Sequence, residues 1–135
     1  MENPPQPKQV QHYPVGGEIQ YLFTKTLSQE DMLGLVIIGD TKKHFKGLSD
    51  ELLLEVARKG LEIEIYTPNH TNWVTMNFER ANKSFKLEKI GWLQVTIKSG
   101  FHVDDKISCW SLYHSEVGPS GILSLIIEKG SDERR

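Results

Sequence analysis

Trp73-Val74-Thr75-Met76-Asn77-Phe78, followed by Ser84-Phe85-Lys86-Leu87, is the stretch whose reading decides the fold. It runs on through Gly91-Trp92 to Phe101 and Asp105-Lys106-Ile107-Ser108-Cys109-Trp110, and it holds all three tryptophans of the chain. In its first run Val74, Met76 and Phe78 share one strand face while Thr75 and Asn77 face away. In its second, Phe85 and Leu87 alternate with Ser84, Lys86 and Glu88. Period-two alternation predicts half-buried strands, and the short polar connector Glu79–Lys83 predicts a hairpin between them.

Working outward, Lys106–Tyr113 predicts another strand, and the continuously apolar Ile122–Ile127 a more deeply buried one. Upstream, Ile19–Leu27 predicts a first strand, Ser28–Asp31 a turn or short helical start, and Leu35–Ile38 a compact strand stopped by Gly39-Asp40. Leu48–Gly60 is the best helix in the chain. Ser49 caps it, Asp50 and Glu51 sit in its first turn, Leu52, Leu53 and Val56 make its apolar face, and Gly60 stops it. Leu61–Tyr66 alternates as a strand, and Thr67–Asn72 is a turn. Leu93–Lys98 is ambiguous: its β-branched residues favour a strand, whereas the spacing of Leu93 and Ile97 suits a short helix ended by Gly100. Six or seven strands at this spacing imply a small barrel or sandwich.

The chain has 135 residues, 38% hydrophobic and 25% charged, as expected of one globular domain with one core. No run reaches the roughly 18 apolar residues of a membrane span, and no apolar core of a signal peptide opens the chain. Residues 1–18, with Pro4, Pro5, Pro7, Pro14 and Gly16-Gly17, read as a flexible tail; a proline-recognition ligand is the sharper alternative. The single cysteine, Cys109, allows no intrachain disulfide, which fits cytosol or nucleus. It reads as a buried inert thiol.

The net charge of −2 is unevenly spread. Residues 73–98 carry Arg80, Lys83, Lys86, Lys89 and Lys98 against Glu79 and Glu88, whereas the flanking segments are acidic. The five histidines have no zinc-type spacing. Asp104-Asp105 fits a turn, and phosphate-loop, dinucleotide and nucleophile-elbow motifs are absent from the sequence. Neither a metal, a cofactor nor an enzyme activity is expected. The tryptophans lie in apolar patterns and are expected in the core rather than stacked on bases.

The order of features resembles the plant-specific B3 DNA-binding domain family, in a divergent plant subgroup. The matching pieces are Phe23-Thr24-Lys25-Thr26-Leu27-Ser28 with Asp31, Leu35-Val36-Ile37, Trp73 before a hairpin, Phe85-Lys86-Leu87, Gly91-Trp92, and Asp105-Lys106-Ile107-Ser108-Cys109-Trp110. The resemblance spans roughly residues 19–129, leaving 130–135 as a charged C-terminal tail. It implies a mainly β protein, a seven-stranded open pseudobarrel with two or three short helices.

It further implies double-stranded DNA as partner, gripped in the major groove by two arms: Ser28–Leu35 and the hairpin around Glu79–Ser84. A two-stranded ribbon fits that groove. Lys25, Lys83 and Lys86 would contact phosphates, with Ser28 and Ser84 at the arm bases, while Arg80 and Asn82 would reach base edges. Arginine suits guanine and asparagine adenine, because each makes paired hydrogen bonds. The function implied is that of a nuclear transcription factor of a plant, acting with other transcription regulators.

The sequence departs from the family pattern in two places. Met32-Leu33-Gly34 leaves the first arm uncharged between Asp31 and Leu35, and Glu79 stands where many members carry an aromatic. The second reading is therefore a protein-interaction module of the same fold with weak or lost DNA binding.

Overall fold

A computed structural model describes residues 6–13, 16–37, 54, 58–79, 84–114 and 122–130. The elements are β1 (Glu18–Thr26), a 3-10 helix (Glu30–Leu33), β2 (Val36–Ile37), β3 (Leu61–Thr67), β4 (His70–Glu79), β5 (Ser84–Leu87), α1 (Lys89–Ser99), β6 (Lys106–His114) and β7 (Ile122–Lys129). The seven strands form a single barrel-like sheet in the order β1-β6-β7-β3-β4-β5-β2. β3 and β7 run parallel, and the other five pairs are antiparallel. The mainly β, pseudobarrel reading is thus correct.

Alternation along the strands builds the inner core. Ile63 and Ile65, Val74 and Met76, Phe85 and Leu87, Ile107 and Cys109, and Leu125 and Ile127 all point inward and are buried. The expected β4–β5 hairpin forms, with Phe78 opposite Phe85 and Met76 opposite Leu87. The β3–β4 turn is tighter than the sequence suggested: only Pro68 and Asn69 separate the paired Thr67 and His70. Proline fixes the first turn angle, and Asn69 takes the left-handed second position at φ 67°.

The ambiguous segment is helical. In α1, Trp92, Val95 and Thr96 are buried, a spacing of three and four that no strand face could satisfy. Thr96 donates its hydroxyl proton to the Leu93 carbonyl at 2.7 Å, which suits a β-branched residue in a helix. Gly100 ends α1 in the left-handed conformation at φ 71°, as a C-terminal glycine does. Gly91 lets the helix lie against β4: a Cβ there would meet Val74 Cγ1 at 2.9 Å.

The helix expected over Leu48–Gly60 lies outside the described residues except for Leu54 and its last turn, where Arg58 and Lys59 are helical. Gly60 follows at φ 81°.

Two expectations need correction. Trp92 and Trp110 are buried, but Trp73 is 63% exposed. It is one residue out of phase with Val74 and Met76 and so faces away from the core with Thr75 and Asn77. The N-terminal segment also differs from a flexible tail over residues 6–13, because the barrel has an apolar outer face to cover. Tyr66, Trp110, Leu112 and Ile126 form a second cluster there with Val10, which is almost fully buried. The backbone N–H groups of Gln9 and Val10 donate to the buried Glu128 carboxylate at 2.7 and 2.9 Å. His12 Nε2 donates to the His70 carbonyl at 2.9 Å.

Candidate nucleic-acid interface

β1 and β2 are the two ends of the sheet order, so the chain between them, Leu27–Leu35, bridges the open seam of the barrel. This is the first predicted arm. Both of its ends are pinned. Leu27 N–H donates to the Asp105 carbonyl and Asp104 N–H to the Leu27 carbonyl, each at 2.8 Å, while the Leu35 carbonyl accepts from Leu87 N–H at 2.8 Å. Leu27 and Leu35 are themselves core residues.

Between these anchors, Asp31 organises the arm. Its carboxylate accepts from Lys25 Nζ at 2.7 Å, and from the N–H and hydroxyl of Ser28 at 2.8 and 3.0 Å. Asp31 N–H donates back to Ser28 Oγ at 3.2 Å. The Ser28-x-x-Asp31 pair thus makes the reciprocal bonds of a capping box at the entry to the 3-10 helix. Asp31 is buried. Burial opposes its ionisation, but the Lys25 ammonium and the Ser28 donors outweigh it and hold the carboxyl below its usual range.

Lys25, expected on phosphate, therefore points at Asp31 and stands opposite the inward-facing Ile107. Its side chain is only 23% exposed. Ser28 keeps its place at the arm base. What this arm exposes is Ser28, Gln29, Glu30 and Leu33, a surface without a cation.

The base of the second predicted arm stands beside the first. Ser84 pairs with Glu79 and Lys86 with Asn77 at the base of the β4–β5 hairpin. Lys86 also faces Val36 of β2, and its stem runs over Gly34. A Cβ on Gly34 would lie 2.6 Å from Lys86 Cε and 3.1 Å from the Leu87 carbonyl, so a residue without a side chain brings arm and hairpin together. Arg80, Asn82 and Lys83, the remaining predicted contacts, lie outside the described residues. The site as described thus joins Lys25 to Ser28 through Asp31, and places Lys86 against the arm.

Among the described residues, no group of three metal-ligating side chains occurs. Cys109 is buried, and burial pushes its thiol well up from the ordinary value, which disfavours the thiolate form. Exposed Trp73 is the feature that sequence reading missed. The signal was its phase relative to Val74 rather than its apolar neighbourhood.

No protein-family model matches the chain. No curated protein matches it either. Among solved structures, the chain is similar to Arabidopsis FUS3 in its complex with DNA. The likeness covers 84% of this chain and 100% of that one, with a TM-score of 0.52 at 16% sequence identity. At that identity it establishes a shared fold, the pseudobarrel expected from the sequence.

Proposed function

We propose that this chain is a sequence-selective double-stranded DNA-binding domain of a plant transcription factor, non-enzymatic and acting in the nucleus, alongside other transcription regulators. The observation that carries this reading is the likeness to a protein solved with DNA, in a chain whose basic residues gather on the hairpin expected to enter the groove. Phosphate contacts supply affinity and register, and base-edge contacts supply sequence. On this reading Arg80 and Asn82 read base edges and Lys83 and Lys86 hold phosphates. Ser84 and Ser28 brace the two arms, and Lys25 acts through Asp31 by fixing the shape of the first.

The test is selection from a random duplex library, followed by binding to the selected site at two salt concentrations. An enriched motif, bound far more tightly than scrambled duplex and weakening steeply with salt, is the expected result.

A second reading is favoured by the first arm itself. Its exposed Glu30 and Leu33, and the neutralised Lys25, suit a protein partner better than a polyanion. No enrichment in the selection, with only feeble binding at low salt, replaces the first reading with this one.

A further inference from the structure

A second basic feature lies outside both arms, where the N-terminal segment crosses the outer face of β1, β6 and β7. It is a cleft of about 270 Å³ whose lining includes Lys8, Lys106 and Lys129, the hydroxyls of Thr24 and Ser108, and Glu128. Two lysine side chains, Lys8 and Lys106, and one carboxylate face it, in a chain with a net charge of −2. The carboxylate is already spent. Glu128 is buried and accepts the N–H groups of Gln9 and Val10, which also sets Lys8, the next residue back, at the rim.

The lysine stems are placed as well. Lys106 Cγ and Cδ would lie 3.3 Å from a Cβ on Gly130, and Gly130 N–H donates to the Lys106 carbonyl. Lys129 lines the cleft through its backbone only: it pairs in register with the inward-facing Ile107, and its ammonium is ion-paired with Asp105 at 3.4 Å. For Lys8 and Lys106 no carboxylate partner occurs among the described residues.

The hydroxyls add donors. Tyr21 Oη, Thr24 Oγ1 and Ser108 Oγ form a chain with two links of 2.7 Å. Three hydroxyl protons serve two links, so one remains to donate outward. Ammonium groups beside a spare hydroxyl donor are the groups that hold phosphate oxygens along a duplex. The position fits the same duplex as the arms: Lys106 pairs with Thr26, two residues before Ser28 begins the first arm.

We infer that this cleft is a phosphate anchor for DNA, holding the duplex backbone beside the first arm through Lys8 and Lys106. The inference rests on the DNA-binding reading above. It gives the uncharged arm a source of backbone affinity next to it, without requiring Lys25 to leave Asp31.

The experiment uses the full chain and the duplex selected from the random library. Lys8→Gln and Lys106→Gln are made singly and together, with Lys98→Gln on the exposed side of α1 as a control of equal charge. Circular dichroism checks that each variant is folded. Each cleft substitution should weaken matched and scrambled duplex by the same factor and flatten the slope of log affinity against log salt by about 0.9. Over a fourfold rise in salt, the double variant should then lose about 12-fold less affinity than the parent. Lys98→Gln should leave the slope unchanged.

A double variant with the parent's slope and affinity overturns the anchor while leaving the arms intact. Equal flattening by Lys98→Gln overturns it too, because the effect is then net charge rather than contact. A parent that binds no duplex removes both readings together.

Discussion

Replacing Asp31 with alanine tests the organisation of the first arm. The wild-type carboxylate accepts three hydrogen bonds, from Lys25 Nζ and from the N–H and hydroxyl of Ser28. Alanine leaves all three donors without their acceptor. The Ser28 hydroxyl can turn to water, and the Lys25 ammonium is partly within reach of it. That access brings the cost below the 3–5 kcal/mol of a fully buried broken pair, to about 2–3 kcal/mol. For a domain of this size the loss corresponds to a fall of roughly 10 °C in Tm. Lys25→Met in the same background should recover about 1 kcal/mol of it, as a double-mutant cycle of contacting groups does.

The pH dependence supplies an independent check. The folded-state pKa of Asp31 is lowered, so its contribution is fully present above the unfolded carboxylate value of about 3.9 and is lost as pH falls through the folded value. Urea unfolding of wild type and Asp31→Ala at pH 7 and near pH 2.5 should show a wide gap that narrows in acid. A gap under about 0.5 kcal/mol at pH 7 would refute the arm as a charge-organised turn. So would a gap of equal size at both pH values.

Other substitutions address the fold and the hairpin. Gly60→Ala should cost about 2–3 kcal/mol, since it forces an L residue to φ 81° and puts its Cβ 2.6 Å from Asn77 Oδ1 and 2.7 Å from Thr75 Cγ2; chemical denaturation measures it. Trp73→Ala should change stability by less than about 0.5 kcal/mol, whereas Trp92→Ala should lose about 3–5 kcal/mol, because one indole faces solvent and the other fills the core. Arg80→Ala should cost about 1–3 kcal/mol on the selected duplex and relax base preference at one position, while Lys83→Ala weakens all duplexes alike, as competition binding would read. Parental binding by both hairpin variants would remove the hairpin as the reading surface.

Most of the barrel was legible because strand period and burial coincide. Val74, Met76, Phe85 and Leu87 alternate in the sequence and all face the same core. The helix α1 was half legible. Val95, Thr96 and Ile97 pull toward a strand by propensity, and the burial of Trp92 with Val95 and Thr96 overrides them. The docking of residues 6–13 was not legible, since its anchor is a carboxylate more than a hundred residues away accepting backbone N–H groups. Any residue but proline supplies such a donor, so Gln9 and Val10 carry no local sign of the partnership. Lys25 shows the same limit. Its distance from Asp31 in sequence was plain, but that its ammonium turns to the buried carboxylate follows from the path of the arm across the seam.

These placements fix how a duplex could be held. On the DNA-binding reading, with Lys25 paired to Asp31 and the exposed first arm without a cation, backbone affinity comes from Lys83 and Lys86 of the hairpin and from Lys8 and Lys106 of the cleft. Four contacts correspond to a salt slope of about −3.6 on duplex DNA. A slope near −2 would mean the hairpin acts alone and the cleft faces away from the duplex. A slope steeper than about −4.5 would require a further cation, and Lys25, at the start of the first arm, could supply it. It would then have to exchange Asp31 for a phosphate, giving up the ion pair that shapes the arm. In that case Asp31→Ala, though less stable, would bind scrambled duplex more tightly than wild type. If Lys25 stays with Asp31, the same variant gains no such affinity, so the sign of its change separates an ion pair that braces the arm from one that yields to DNA.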